Sequence, residues 1–151
     1  VEQALKMIVA YGGDQWCTDM IIRWAGKNEK GLNALKSDNA LEVYGAFFNN
    51  EHTIRASNED YKAGAGVDLD QQEEDQKNGR KINAPLLLIY SEHYIGSRYD
   101  LPKEWEDWVD KDVKVDSFAV QDGIGHFDAE EAPEECAREI NNWLKGLQFG
   151  Y

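Results

Sequence analysis

Pro85-Leu86-Leu87-Leu88-Ile89-Tyr90 is an unbroken apolar run with the length of a strand that is covered on both faces, and Pro85 punctuates its start. Downstream of it, Pro102 opens a predicted helix that carries Trp105, Trp108 and Val109 on one side. A proline in the first turn costs no hydrogen bond. Val113 to Val120 reads as a second strand. The last helix starts at about Pro133, places Glu134 and Glu135 where the helix dipole favours anions, and runs Cys136, Ile140, Trp143, Leu144 and Leu147 along its buried face. Strand, helix, strand, helix within about 65 residues is a βαβα unit, which pairs its strands in parallel through a right-handed crossover. Two parallel strands do not make a stable sheet alone, so the pattern calls for further strands that this chain does not contain.

Residues 1–80 have a different texture. Leu5, Ile8 and Val9, then Cys17, Met20, Ile21 and Trp24, then Leu41, Tyr44 and Phe48 recur at spacings of three and four, the signature of amphipathic helices. Gly12-Gly13-Asp14 and Gly26-Lys27-Asn28 break the first two helices as turns. Ser37-Asp38 is placed to cap the third through a side-chain oxygen. The expected organisation is therefore a helical segment over 1–80 and an α/β segment over 81–151.

With 42% hydrophobic residues, including five Trp, seven Tyr and five Phe, the 151-residue chain has apolar surface enough for a core and too much for a disordered acidic tail. Sixteen Lys and Arg stand against 29 Asp and Glu, a net charge of −13 with no basic cluster to neutralise phosphates, which argues against nucleic acid as a partner. The acidic bursts Glu73-Glu74-Asp75, Glu104 to Asp112 and Asp128 to Glu135 are interleaved with apolar positions and read as the wet sides of helices. Cys17 and Cys136 lie far apart within helical patterns, which suits buried thiols in a reducing compartment, the cytoplasm, better than a disulfide framework. No run approaches the roughly 18 apolar residues of a membrane span. Val1-Glu2-Gln3 has neither an initiator Met nor a signal-peptide pattern, which fits a chain beginning within a longer protein.

Reactive groups in open parallel sheets collect in loops at the carboxyl ends of strands. Gln121-Asp122-Gly123-Ile124-Gly125-His126-Phe127 follows the second strand, and its two glycines allow backbone angles that let the loop present an imidazole at a fixed place. His126 is accordingly the first candidate for a general base. His93, after the first strand, is a lesser candidate, and His52 reads as a solvated helix end. Asp68-Leu69-Asp70-Gln71-Gln72-Glu73 begins like a calcium loop but has Glu73 where the sharp turn demands Gly, so a helical acidic face is expected. Gly64-Ala65-Gly66 precedes no phosphate-binding turn, and no Cys/His spacing resembles a zinc site, so neither a metal nor a cofactor is expected.

Pro85 to Tyr90, Gly123 to Phe127 and the following Glu130-Glu131-Ala132-Pro133-Glu134-Glu135 resemble the last two strands, histidine loop and final helix of α/β-hydrolases. Asn58-Glu59-Asp60-Tyr61-Lys62-Ala63-Gly64-Ala65-Gly66-Val67-Asp68-Leu69 is similar to the end of the cap in the fluoroacetate (haloacetate) dehalogenase and epoxide-hydrolase-like branch. The resemblance covers nearly the whole chain and implies a C-terminal fragment of an α/β-hydrolase fold, with a helical cap segment followed by the parallel βαβα unit. It implies that His126 activates water to hydrolyse an ester formed when an Asp nucleophile displaces a leaving group, with no cofactor. It implies that the Tyr61 hydroxyl hydrogen-bonds a departing halide or an opening epoxide oxygen, which a neutral phenol can do; the alternative is an aromatic anchor under the cap. Trp16 and Trp24 are candidates for lining the substrate pocket, with core packing as the alternative for each.

The departures from the family pattern are as informative. The chain has neither a Gly-x-Ser-x-Gly nor a Gly-x-Asp-x-Gly elbow and no oxyanion-hole segment, so the nucleophile is expected outside it. In this branch the triad acid usually follows the strand before the cap, upstream of Val1. Some relatives carry it after the strand at 86–90, but that loop reads Ser91-Glu92-His93-Tyr94-Ile95-Gly96, with Tyr94 where an Asp is expected; Glu92 or Asp100 would need special geometry to substitute. Three readings stay open: a dehalogenase, epoxide hydrolase or esterase whose remaining half, or a complementing subunit, lies outside this chain; a non-catalytic fragment or subunit, a homodimer among its forms; and a small-molecule receptor on the same fold.

Overall fold

The computed structural model describes residues 1–147, so 148–151 of the expected second segment lie outside the described residues. The chain is a mixed α/β protein that divides into two compact units: residues 1–23 with 36–80, and residues 24–35 with 81 onward. The stretch 24–35, inside the expected helical segment, thus belongs to the second unit.

The first unit is helical. Helix α1 (Glu2–Tyr11) ends at Gly12, whose φ of 102° lets its amide turn back onto the Ile8 carbonyl at 3.0 Å. Helix α2 (Gly13–Trp24) starts at once, because Gly13 lies so close to the Phe48 carbonyl that no Cβ would fit. Helices α4 (Ala40–Phe48), α5 (Glu51–Gly64) and α6 (Val67–Lys77) complete this unit around Leu5, Ile8 and Ile54, with Trp16 and Phe48 packed against them. Asn50, in extended conformation, caps α5 by accepting the His52 amide at 2.8 Å, which places His52 at an exposed helix start. Ser37-Asp38 does not cap as expected. A side-chain cap needs an extended backbone at the cap position; here Ser37–Asn39 form a 3-10 turn, Asp38 and Asn39 are left-handed, and α4 begins without a side-chain cap bond. The would-be calcium loop is the first part of α6, with Asp68, Asp70 and Glu73 exposed; Glu73 pairs with Lys77, and the following Glu74 and Asp75 pair with Arg80.

In the second unit, β1 (Leu86–Ser91) and β2 (Val115–Val120) pair in parallel, in register from Leu86 against Val115 to Ser91 against Val120. The crossover helix α7 (Leu101–Glu106) is shorter than the sequence pattern predicts. Trp108 and Val109 fall beyond it because the Ile82 backbone exchanges hydrogen bonds of 2.8 Å with the Trp108 carbonyl and the Asp110 amide, making Val109 part of a parallel bridge. Helix α9 (Pro133–Gly146) lays Cys136 with Ala132 against Val120, Ile124, Ile89 and Phe118. The rest of its expected buried face is less covered: Ile140 and Leu144 are each 42% exposed, and Leu86 to Tyr90 are half-buried rather than sealed on both sides. Two strands, about 5 Å apart, are too narrow to roof a helix whose side chains span about 10 Å. The Trp143 indole donates to Asp116 at 3.0 Å and ties α9 to β2. Among the described residues neither cysteine is in a disulfide, and no helix is long and apolar enough to cross a membrane.

Candidate functional site

The site grows from the loop after β2. Asp122 and Gly123, with φ of 62° and 73°, reverse the chain directly after the strand. Gly125 serves a different purpose from the one expected of it. Its φ is not positive; instead its backbone lies against that of residues 24–26, leaving no room for a Cβ between Gly125 and Gly26. Asn28 fastens the same contact from the other side: its amide donates to the Asp122 carbonyl at 2.7 Å, and its oxygen accepts the Gly31 amide at 2.9 Å at the start of α3 (Glu29–Leu35).

His126 follows, with its amide donating to the Trp24 carbonyl at 3.0 Å and its side chain exposed. Three aromatic rings surround the imidazole. Phe127 and Tyr94 meet it edge-on at centroid distances of 4.9 and 5.2 Å, and Trp24 stands tilted at 6.1 Å. Trp24 and Tyr94 also contact each other edge-on at 5.9 Å, and the Arg98 guanidinium lies 5.3 Å from the Tyr94 ring. Tyr94, the residue standing where a carboxylate is expected, thus supplies an aromatic wall. Buried Ser91 joins the two strand-end loops by donating to the Ile124 carbonyl at 2.5 Å and accepting the Tyr94 amide at 3.0 Å. Beside the imidazole runs a groove of about 490 Å³ along β1, with Tyr94, Trp105, His126 and Asp128 in its walls.

Two acidic residues belong to this site, against the expectation that Asp128 to Glu135 form a solvated face. Glu131 closes the one-turn helix α8 (Asp128–Glu131) and is only 3% exposed. One carboxylate oxygen accepts the amides of Gly26 and Gly125 at 2.7 and 3.0 Å, and the other accepts the Phe127 amide at 3.1 Å. Asp128 is half-buried; burial, then the neighbouring Glu131 charge, push its carboxyl up to about 6, against the opposing pull of a hydrogen bond from the Ser91 backbone. Its Oδ1 is buried with no hydrogen-bond partner among the described residues. The local sequence marks the turn but not the residue: Pro133 drives Ala132 out of helical geometry, leaving a single turn that carries residue 131 back over residue 127, without telling Glu131 from Glu130.

The other candidates fall elsewhere. Glu92 and Asp100 line a separate hollow with Arg98, and Asp100 caps α7 by accepting the Lys103 amide. His93 is exposed on the turn after β1. Of the proposed pocket residues, Trp24 meets His126 as above. Trp16 and Tyr61 belong to the first unit, Trp16 packed on its core with its ring 5.8 Å from Tyr11, and Tyr61 81% exposed. Among the described residues no three His, Cys, Asp or Glu side chains converge as a metal site would require. No known protein-family model matches the chain.

Proposed function

We propose that this chain is the C-terminal part of a cap-bearing α/β-hydrolase of the haloacid dehalogenase or epoxide-hydrolase type, with His126 as the base of the hydrolytic half-reaction. The observation that carries the reading is the exposed His126 imidazole, held at the carboxyl end of a parallel strand among Trp24, Tyr94 and Phe127, beside an open groove. An Asp nucleophile from outside the chain attacks the substrate carbon; halide leaves, or the epoxide ring opens, and an aspartyl ester forms. His126 takes a proton from water as that water attacks the ester carbonyl, which frees the alcohol product and regenerates the carboxylate. Trp24, whose ring stands 6.1 Å from the imidazole, is the proposed apolar lining. Two unpaired thiols fit a reducing compartment such as the cytoplasm.

The test is the intact enzyme, this chain with the segment or subunit that supplies the nucleophile, assayed for halide release from haloacids, diol formation from epoxides and hydrolysis of simple esters. His126→Ala is expected to cut turnover by about 10³-fold or more and to trap the ester, visible as a mass adduct on the nucleophile. Absence of all three activities in the intact protein, or full turnover in the variant, defeats the reading. Ester hydrolysis alone moves the assignment to an esterase.

The half-covered two-stranded sheet favours a second reading, a non-catalytic chain that folds against a partner supplying more strands. Intact mass and sedimentation discriminate. A stable 17.2 kDa monomer with a cooperative melt removes the need for a partner.

A further inference from the structure

We propose that Glu131 is the positioning residue of this site, its buried carboxylate fixing where the His126 imidazole stands; its catalytic meaning rests on the hydrolase reading above, its geometric meaning does not. The argument starts from three successive amides. Gly125 and Phe127 donate to Glu131 at 3.0 and 3.1 Å, and His126 between them donates to the Trp24 carbonyl at 3.0 Å. With the peptide groups on both sides of His126 held, the direction of its Cα–Cβ bond is set, and only the side-chain torsions remain. Those torsions are confined by the rings of Phe127, Tyr94 and Trp24. The same carboxylate accepts the Gly26 amide at 2.7 Å, so it also places the Trp24 to Gly26 segment, which carries both the carbonyl that accepts the His126 amide and one of the three rings.

A residue that merely filled this space would be better served by an apolar side chain. Burying a carboxylate is unfavourable unless its lone pairs are matched by donors, as the three amides do here. The donor count also makes the role chemically specific. A glutamine can put its oxygen where Oε2 lies and keep Gly26 and Gly125, but its NH2 then faces the Phe127 N–H, donor against donor. An alanine keeps none of the three. Imidazole control is therefore graded, Glu above Gln above Ala, which side-chain volume alone does not explain because Glu and Gln are nearly the same size.

The test is amide hydrogen exchange on the full chain, with kinetics on the intact enzyme. Glu131→Gln is expected to lose about tenfold protection at Phe127 while Gly26 and Gly125 keep most of theirs, and Glu131→Ala to lose it at all of residues 26 and 125–127, with β1 and β2 unchanged. In the enzyme, kcat falls by about 10- to 100-fold with KM little altered, and Gln recovers part of the loss, since an ångström of misplacement is enough for such an effect. Unchanged exchange at Gly125 to Phe127 in Glu131→Gln, or exchange accelerated uniformly through the second unit, overturns the proposal. Glu131→Gln decides the matter if the alanine variant fails to fold. Local exchange changes in a protein that turns over none of the three substrate classes uphold the positioning role while removing the hydrolase reading.

Discussion

Replacing Gly125 with alanine tests the packing that holds the histidine loop. The new methyl would stand 2.7 Å from the Trp24 carbonyl oxygen and closer still to the Gly26 nitrogen and the Ala25 carbonyl carbon. Carbon needs about 3.5 Å to such neighbours, and all three are backbone atoms that no rotamer change can move aside. The two chain segments must therefore part by about 1 Å or more. Three hydrogen bonds are vulnerable to that separation: His126 to Trp24 at 3.0 Å, and Gly26 and Gly125 to Glu131 at 2.7 and 3.0 Å. Loss of one bond to the buried carboxylate costs about 1.5–3 kcal/mol, and the overpacking itself about 1–3 kcal/mol. A total of about 3–5 kcal/mol is a large share of the roughly 5–15 kcal/mol that a small protein has to spare. Urea unfolding followed by tryptophan emission should show the midpoint falling by about 2 M. Gly123→Ala is the control: its φ of 73° makes alanine strained, but nothing lies within 4 Å of the added carbon. It should cost only about 1 kcal/mol, the penalty of left-handed backbone. If Gly125→Ala is no more destabilising than Gly123→Ala, the close contact between residues 24–26 and the loop is not what holds the second unit.

Two further outcomes follow from the burial of particular groups. The Asp128 carboxyl, raised from 3.8 to about 6, holds its proton more tightly in the folded state, so its contribution to stability is greatest below 3.8 and is lost as pH rises through about 6. The full displacement corresponds to about 3 kcal/mol, which solvent screening of this half-buried group reduces to about 1 kcal/mol. Asp128→Asn should remove that part of the slope in thermal melts taken between about pH 4 and pH 7, and an unchanged slope would place the titration elsewhere. In the first unit, Ile54→Ala empties the centre of the Leu5 and Ile8 cluster and should cost about 2–5 kcal/mol, read as an earlier loss of helical circular dichroism. A loss below about 1 kcal/mol would mean that α5 does not anchor this core.

What could be read from the residues was whatever local periodicity encodes. The three-and-four spacing of Leu5, Ile8 and Cys17, Met20, Ile21 announced helices, and the run after Pro85 announced β1, because burial of one face or two leaves those patterns in the chain itself. The position of His126, on a glycine-bearing loop after a strand, was legible for the same reason. Glu131 was not: adjacent carboxylates at 130 and 131 look alike until the distant Gly26 amide is known to lie over one of them. The assignment of residues 24–35 to the second unit escaped too, since the helical spacing of Trp24 and its neighbours says that a face is buried without saying against what. Val109 shows competition between levels, a helix-compatible residue drawn into a bridge because Ile82 offered backbone partners.

The hydrogen bond from Gly26 to Glu131 joins residues 105 positions apart, and that span sets a clock. Chains are made at about 5–20 residues per second, so Gly26 waits roughly 5–20 s before the carboxylate that receives it exists. Once residue 80 is made, about halfway through that interval, residues 1–23 and 36–80 are both present and can assemble their own core, while α3 still lacks the α8 turn that packs on it. The order of synthesis thus favours a helical unit completed early and a histidine loop that takes its form only after residue 131 has emerged.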